Sequence, residues 1–227
     1  FDTASYYETE EYAAEAIRRS GLPREDFFIA TKLWKEEMGY EESLAACERS
    51  LKRLNTDYID LYLIHWPKPT PDYEDWKQLD LDTWRALEKL YKEGKVRAIG
   101  VSNFLPHHLD NILENCEVKP MVDQIEYHAG YTQEATVQYC KQHGILVQAW
   151  SPISRGSIFH DETMIEMAKK VSAISENFVI KIPAIEGGIT AARKLEKMGI
   201  RTNVTLIFSP SQAILPAKNG SLFVSPF

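Results

Sequence analysis

The sequence predicts an α/β fold in which parallel strands alternate with helices, as in a (β/α)8 barrel. Two observations carry this prediction. Short apolar segments rich in Val, Ile, Phe and Tyr recur along the 227 residues, and longer segments with helical periodicity separate them. Strands buried on both faces have near-continuous apolar character, and strand–helix alternation requires parallel strands with right-handed crossovers. One such barrel typically needs about 250 residues, so the chain is slightly short of one.

The predicted strands are the apolar segments of this alternation. They are Phe27–Thr31, Tyr58–His65, Val96–Val101, Met121–Tyr127, Ile145–Trp150, Phe178–Ile182, Val204–Phe208 and Leu222–Val224. Several follow a glycine that is able to close the preceding helix, such as Gly94 and Gly144. An open doubly wound sheet is the competing architecture, but no GxGxxG motif follows a strand, so a Rossmann nucleotide site has no support.

The intervening segments have one apolar face at helical spacing. Predicted helices include Tyr40–Leu54, Leu81–Lys92, Gln133–Gln142, Glu162–Ile174 and Ile189–Lys197. The Pro-, Asp- and Trp-rich segment Pro67–Asp80 is predicted to be a long loop at the carboxyl end of a strand.

Composition excludes several classes of protein. The net charge of −7 argues against a nucleic-acid surface, which requires a basic stripe. No apolar run approaches the roughly 20 residues that span a bilayer, and no signal peptide opens the chain. Cys47, Cys116 and Cys140 are few and far apart, which indicates reduced thiols in a cytoplasmic protein and neither a disulfide framework nor a zinc site. No metal is expected.

Polar residues close the first predicted strands, at the barrel end that carries active sites. Lys32 and His65 each end an apolar strand, while Asp2 and Tyr7 lie at the start of the chain. A Tyr beside a Lys⁺ is expected to have a lowered pKa and to donate a proton near neutral pH, with Asp2 holding the lysine charged. The alternative is that Lys32 and His65 merely extend from the strand ends to solvent.

Residues 1 to about 157 resemble the aldo-keto reductase family through ordered motifs. These are Asp-Thr-Ala-Ser-Tyr-Tyr-Glu-Thr-Glu (2–10), Thr-Lys-Leu-Trp (31–34), Leu-Ile-His-Trp-Pro (63–67), Gly-Lys-Val-Arg-Ala-Ile-Gly-Val-Ser-Asn-Phe (94–104), Asp-Gln-Ile-Glu-Tyr-His (123–128) and Ala-Trp-Ser-Pro (149–152). The resemblance implies reduction of aldehyde or ketone carbonyls with NADPH.

The same resemblance implies a role for each matching residue. Tyr7 is implied as general acid, with Lys32 and Asp2 tuning it and His65 orienting the carbonyl. The carboxamide of the nicotinamide is implied to be held by Ser102, Asn103 and Gln124. Trp150 is implied to stack on the nicotinamide ring, and Ser151 to face the pyrophosphate. The substrate pocket is implied to be lined by Trp34 and Trp66. The later Ile-Pro-Lys-Ser segment, which binds the 2′-phosphate of NADPH in this family, is missing, so weak cofactor binding is expected.

Residues from about 161 to 227 resemble the transaldolase family. The matching stretches are Val-Ile-Lys-Ile-Pro (179–183), Glu-Lys-Met-Gly-Ile-Arg-Thr-Asn-Val-Thr-Leu-Ile-Phe-Ser (196–209), Gln-Ala-Ile-Leu (212–215) and Phe-Val-Ser-Pro-Phe (223–227). The resemblance implies Lys181 as a Schiff-base lysine surrounded by Asn203, Thr205 and Ser225. A buried lysine in an apolar strand loses proton affinity, as an amine nucleophile requires. The alternative is an inert interior lysine that hydrogen-bonds to Asn203 and Thr205.

The chain is therefore predicted to be a chimera of two barrel fragments, 1–157 and 161–227, forming a single domain over 1–227. A clipped strand at Phe1–Thr3 leaves open an incomplete barrel or a ninth strand stub at the seam. An NADPH-dependent carbonyl reductase is the first functional hypothesis. A Schiff-base aldolase or transaldolase using Lys181 and an inactive chimeric scaffold are the alternatives. The expected partner is a small carbonyl substrate, without nucleic acid or membrane, and a monomer is the default.

Overall fold

The computed structural model describes residues 1–128, 130–152, 166, 168–170, 172–173, 179–184, 186–207 and 210–226. The chain divides into two compact units, which are treated one at a time. The first comprises Phe1–Tyr127 and Thr132–Trp150, and the second His128–Tyr131 and Ser151–Phe227. The single domain over 1–227 stays a prediction.

A five-stranded parallel sheet forms the centre of the first unit. Its strands lie in chain order and are β1 (Ala30–Leu33), β2 (Leu61–Ile64), β3 (Ile99–Ser102), β4 (Val122–Glu126) and β5 (Leu146–Trp150). The opening residues add a stub beside β1, because the amide of Ala30 donates to the carbonyl of Phe1 at 2.8 Å and the amide of Thr3 donates to the carbonyl of Ala30 at 2.9 Å. The stub is thus paired in parallel with β1.

Helices follow the stub and the first four strands, as the predicted strand–helix alternation requires. They are α1 (Glu10–Ser20), α2 (Tyr40–Leu54), α3 (Trp76–Lys92), α4 (Pro106–Leu113) and α5 (Glu134–His143). The predicted and observed bounds of α2 coincide. Asn55 closes this helix in the left-handed conformation, and its amide donates to the carbonyls of Leu51 and Lys52. The predicted loop Pro67–Asp80 is wrong over its last residues, because α3 begins at Trp76 and that ring packs against His107 and His108.

The sheet has two apolar faces of different size. The face toward the helices carries the larger core, which includes Leu33, Tyr62, Ile64, Ile99, Val101, Trp84 and Leu87. The opposite face carries a smaller cluster of Ala30, Leu61, Leu63 and Val122. Because side chains alternate along a strand, Lys32 lies on the face of Ala30, and His65 lies on the face of Leu61 and Leu63. Lys32 and His65 therefore share the sheet face that carries the smaller apolar cluster.

Gly100 allows β3 and β4 to approach each other closely on the sheet face that carries the smaller apolar cluster. A Cβ atom at this position would lie 2.4 Å from the carbonyl oxygen of Val122 and 2.8 Å from Cδ2 of Leu63. No side chain larger than hydrogen fits there without movement of the β4 backbone, so this glycine is required by packing.

The second unit contains a three-stranded parallel sheet. Its strands are β6 (Ile180–Pro183), β7 (Thr202–Ile207) and β8 (Phe223–Pro226), and its helices include α6 (Glu186–Lys197) and α7 (Pro210–Lys218). Ile182, Ala192, Leu195, Val204 and Ile207 form its apolar core. Most of the predicted helix Glu162–Ile174 lies outside the described residues. No helix in the described ranges is both long and apolar enough to span a bilayer.

Candidate active site

The carboxyl ends of β1 and β2 bring the predicted catalytic residues together. Lys32 lies in β1, His65 directly follows β2, and Tyr7 lies in a 3-10 turn, Ser5–Tyr7, that follows the paired stub. Asp2 lies in the stub itself. Parallel pairing of the stub with β1 places Asp2 next to Lys32, so the four residues converge at one end of the sheet.

Lys32 is anchored by two acceptors at the base of the site. Its side chain is only 1% exposed, and its ammonium donates to a carboxylate oxygen of Asp2 and, at 2.9 Å, to the carbonyl oxygen of Thr3. The ammonium lies 5.4 Å from the centroid of the Tyr7 ring. A buried ammonium needs such partners to remain charged, so Lys32 places a fixed positive charge beneath the phenol.

Tyr7 and His65 form the outer layer of the site. The hydroxyl of Tyr7 lies 3.4 Å from Nε2 of His65, and the two rings meet edge to face. Partial burial and then the Asp2 carboxylate raise the pKa of Tyr7 above 10.0. The predicted lowering of this pKa is therefore wrong, because the phenol is partly buried and because Asp2 lies near it as well as near Lys32. The phenol is protonated at neutral pH, which is the form that donates a proton.

His65 is a neutral imidazole at physiological pH. Its burial, and then the charge of Lys32, lower its pKa to about 4. Its Nδ1 is buried without a hydrogen-bond partner among the described residues. A buried N–H without an acceptor is more costly than a buried lone pair, so the proton is favoured on Nε2, which faces Tyr7.

The walls of the site are fixed by residues that no sequence pattern indicates. The hydroxyl of Ser5 donates to the Glu37 carboxylate at 2.6 Å, and the amide of Trp34 donates to Ser5 Oγ at 3.1 Å and to Glu37 Oε2 at 2.9 Å. Arg49 in α2 also binds Glu37, at 3.0 Å. This network ties the Tyr7 turn to the end of β1. No periodicity or spacing in the sequence indicates it.

Amide and hydroxyl side chains meet at the ends of β3, β4 and β5. The Asn103 amide donates to the carbonyl of His65 at 3.0 Å and accepts from the Trp150 indole at 2.8 Å. Ser102 donates its hydroxyl to the carbonyl of Gln124 at 2.7 Å. Asn103 has a left-handed backbone with φ of 63°, a conformation often found at functional sites. The structure thus brings Ser102, Asn103, Gln124 and Trp150 together.

Gln124 joins this cluster to the predicted catalytic residues. Its side-chain amide donates to Asp2 at 2.6 Å and to Gln148 at 3.1 Å. Asp2 therefore accepts hydrogen bonds from both Lys32 and Gln124. Gln124, which is predicted to hold the cofactor, thus also positions the carboxylate that binds Lys32. Neither this link nor Gln148 was expected from the sequence.

Trp34 and Trp66 line a cavity of about 490 Å³ beside the site. Trp34 meets the His65 ring edge to face at 4.9 Å and stacks on Tyr6 at 4.0 Å. Asn103, Leu105 and the loop 67–71 complete the walls. The volume suits a small organic molecule.

The remaining predicted residues lie in the second unit. Ser151 has a left-handed φ of 49° and is half-buried. Lys181 pairs in register with Asn203 between β6 and β7, as the alternation predicts. The prediction that Lys181 is buried is wrong: its side chain is exposed, because it lies opposite the apolar core of its own unit. Thr205 is buried. Ser225 lies in β8, and its side chain is outside the described part.

The described ranges contain no set of side chains that could bind a metal ion. No cluster of His, Cys, Asp or Glu there has the arrangement that holds an ion. Cys47, Cys116 and Cys140 are free thiols.

The chain is similar in sequence to known aldo/keto reductases. The model of the Aldo/keto reductase family matches residues 1–207. A glyoxal reductase of Bacillus subtilis (strain 168) is 44% identical over 205 residues, which cover 90% of this chain and 71% of the relative. A 9,11-endoperoxide prostaglandin H2 reductase of Trypanosoma cruzi (strain CL Brener) is also 44% identical, over 89% of this chain and 70% of the relative.

Solved structures show the same likeness. An aldo/keto reductase from Brucella melitensis aligns with a TM-score of 0.69 and 35% identity, covering 98% of this chain and 78% of that one. A Bombyx mori aldo-keto reductase in complex with NADP aligns with a TM-score of 0.65 and 31% identity. The alignment covers 97% of this chain and 72% of that one. The family match runs across the predicted junction near residues 157–161. The transaldolase-like part of the chain stays a prediction.

Proposed function

Because the chain belongs to the aldo/keto reductase family, it is an oxidoreductase that reduces aldehyde or ketone carbonyls with NADPH, and we propose that Tyr7 is its proton donor. One observation carries this assignment. The protonated phenol of Tyr7 lies 3.4 Å from Nε2 of a neutral His65, directly above the Lys32–Asp2 pair. A carbonyl oxygen placed between the phenol and the imidazole accepts hydrogen bonds from both.

The amide cluster fits the nicotinamide end of the cofactor. A carboxamide offers one acceptor and two donors, and Ser102, Asn103 and Gln124 supply a hydroxyl and two amides at adjacent strand ends. We propose that these residues hold the carboxamide, that Trp150 faces the ring, and that Ser151 binds the pyrophosphate. When bound, NADPH supplies the hydride that reduces the carbonyl carbon.

The protein side of the reaction is proton transfer and charge stabilisation. As negative charge develops on the carbonyl oxygen, Tyr7 donates its phenolic proton and His65 Nε2 donates a hydrogen bond. The ammonium of Lys32 lies close enough to stabilise the phenolate that remains. Tyr7 is 47% exposed, so water is able to return the proton.

The test is an aldehyde-dependent oxidation of NADPH by the purified chain, together with a fluorescence titration of NADPH. We expect turnover with a small aldehyde such as glyoxal. We also expect a micromolar or weaker dissociation constant, because residues 1–227 lack the Ile-Pro-Lys-Ser motif to which the resemblance assigns the 2′-phosphate. Absence of turnover with a panel of aldehydes contradicts the catalytic assignment. Sub-micromolar binding of NADPH contradicts the prediction of weak cofactor binding but leaves the catalytic assignment standing.

The aldolase alternative has narrower support. It rests on the register that places Lys181 beside Asn203, while the exposure of Lys181 removes the desolvation that would activate its amine. Borohydride trapping with a small ketose phosphate, read by mass spectrometry, tests it. A labelled Lys181 supports the alternative, and an unlabelled lysine rejects it.

We also propose that the protein acts in the cytoplasm as a monomer. The three free thiols, of which Cys47 and Cys140 are buried, suit a reducing compartment. Sedimentation of the purified chain at micromolar concentration tests the monomer, and a dimer-sized species contradicts it.

A further inference from the structure

The cavity beside the catalytic residues carries positive charge on an otherwise acidic chain. Lys35 and Lys68 line it with the apolar walls of Trp34 and Trp66. No carboxylate is among the described residues that line it, although the whole chain has a net charge of −7. A concave site with one sign of charge and low-dielectric walls concentrates ions of the opposite sign.

Both lysines are held at the cavity by contacts that involve no carboxylate of the described residues. The ammonium of Lys68 donates to the carbonyl oxygen of Pro71 at 2.6 Å, which keeps the side chain within its loop. The ammonium of Lys35 lies 5.5 Å from the centroid of the Trp34 ring. Neither forms a salt bridge with a carboxylate of the described residues, whereas surface lysines such as Lys92 and Lys95 do.

The buried acid and the buried histidine near Lys68 do not compensate its charge. Asp80 is fully buried with both carboxylate oxygens unpartnered among the described residues, and burial raises its pKa to about 9, so it is neutral at pH 7. His108, which lines the cavity, is neutral too, because burial lowers its pKa to about 4. Asp72 feels the charge of Lys68, but it is exposed and does not line the cavity.

We propose that this cavity is an anion subsite, in which Lys68 and Lys35 bind a carboxylate or phosphate group of the carbonyl substrate. The proposal rests on the proposed function and narrows its substrate class to small aldehydes or ketones with an anionic end. The cavity borders the catalytic residues, because Trp34 contacts the His65 ring and Asn103 binds the His65 carbonyl. In this proposal, one substrate molecule places its carbonyl at Tyr7 and its anion at Lys68.

The test compares matched charged and neutral substrates. The values of kcat/KM are measured for para-formylbenzoate and its methyl ester, and for glyceraldehyde phosphate and glyceraldehyde, with the wild type, Lys68→Gln, Lys35→Gln and Lys68→Arg. Lys77→Gln is the control, because Lys77 is exposed, lies over Trp76, does not line the cavity, and its loss changes the net charge equally.

We expect the wild type to prefer at least one anionic substrate over its neutral partner, and the pair identifies carboxylate or phosphate. Lys68→Gln is expected to lower that preference about 10-fold, since charge-assisted hydrogen bonds are the strong ones. Lys35→Gln is expected to lower it less, Lys68→Arg to restore most of it, and Lys77→Gln to leave it unchanged. An unchanged preference in Lys68→Gln, or an equal change in Lys77→Gln, overturns the proposal.

A binding measurement separates this proposal from the proposed function. Para-(hydroxymethyl)benzoate and its methyl ester are titrated against the protein, and the change in tryptophan fluorescence is recorded. Binding that favours the acid and is weakened by Lys68→Gln supports the subsite even if no carbonyl is reduced. Turnover without any preference for the anionic compounds supports the reductase and rejects the subsite.

Discussion

The hydroxyl of Tyr7 lies 3.4 Å from Nε2 of His65, although 58 positions separate the two residues in the chain. Three structural features produce this distance: the stub that pairs with β1, the turn that follows it, and the parallel alignment of β1 with β2. The proposed proton donor and the residue proposed to orient the carbonyl therefore meet only when the sheet is assembled.

Removing the two partners of the Lys32–Asp2 pair is expected to have unequal effects on stability. Asp2→Asn leaves the almost fully buried ammonium of Lys32 with only the Thr3 carbonyl as a strong acceptor. Lys32→Met leaves the half-exposed Asp2, which still accepts from Gln124 and reaches water. We expect a loss of about 2 kcal/mol for Asp2→Asn and about 1 kcal/mol or less for Lys32→Met. Urea unfolding measures both, and the reverse order would refute the description of this pair.

The sequence is sufficient to predict the fold class and most elements of the first unit. The (β/α)8 class is confirmed by the family match and by aligned structures of relatives. Helix α2 was predictable because its apolar face is long and Asn55 closes it. The start of α3 was not, because Trp76 is held by His107 and His108 from a later part of the chain, and local composition does not contain that contact.

The motifs indicate that Lys32 and His65 lie at one end of the sheet, but they indicate neither the electrostatics there nor the contacts between Ser5 and Glu37. Motifs placed Lys32 and His65 at strand ends, and the structure brings them together. The direction of the Tyr7 pKa was not predictable, since it depends on the burial of the phenol and on its distance from Asp2. The exposure of Lys181 likewise depends on which face of β6 its own unit covers.

His65 is expected to remain neutral throughout the physiological range. Its pKa is lowered in the folded state to about 4 from the ordinary 6.5. The folded protein thus binds fewer protons at His65 than the unfolded chain below pH 6.5, and this residue's contribution to stability is lost as the pH falls from there toward 4. Imidazole NMR signals of His65, assigned by comparison with His65→Gln, are expected to shift near pH 4. A midpoint above pH 6 would be inconsistent with the burial described.

Asp123→Asn is expected to stabilise the protein at neutral pH. Asp123 is buried between β4 and α5, with Oδ1 unpartnered among the described residues, and burial raises its pKa to about 8 from 3.8. Between those two values the folded state holds a proton that the unfolded state lacks, so wild-type stability decreases as the pH rises through this window. Asn removes this dependence.

We expect Asp123→Asn to gain about 1–2 kcal/mol at pH 7 and to lose the advantage as the pH approaches 3.8. Asp57→Asn is the control, because Asp57 is exposed. Thermal unfolding across this pH range measures both variants. A gain that is the same at every pH would mean that proton binding is not its cause.

Gly100→Ala is expected to destabilise the first unit. The added Cβ atom would lie 2.4 Å from the Val122 carbonyl oxygen, and backbone is unable to yield as a flexible side chain does. Overpacking of this kind costs about 2–3 kcal/mol. Urea unfolding measures the loss, and a loss below about 0.5 kcal/mol would show that β3 and β4 do not approach this closely.

The assignment of Tyr7 as the proton donor is tested by Tyr7→Phe, with Tyr6→Phe as the matched control. Tyr6 is the neighbouring tyrosine, and its ring stacks on Trp34 without contributing its hydroxyl to the proposed proton transfer. The measurement is kcat for aldehyde-dependent oxidation of NADPH by the wild type and both variants. Loss of the proton donor predicts a decrease of roughly 10²–10⁴-fold for Tyr7→Phe and little change for Tyr6→Phe. A Tyr7→Phe protein that turns over at the wild-type rate would contradict the assignment of Tyr7 as the proton donor.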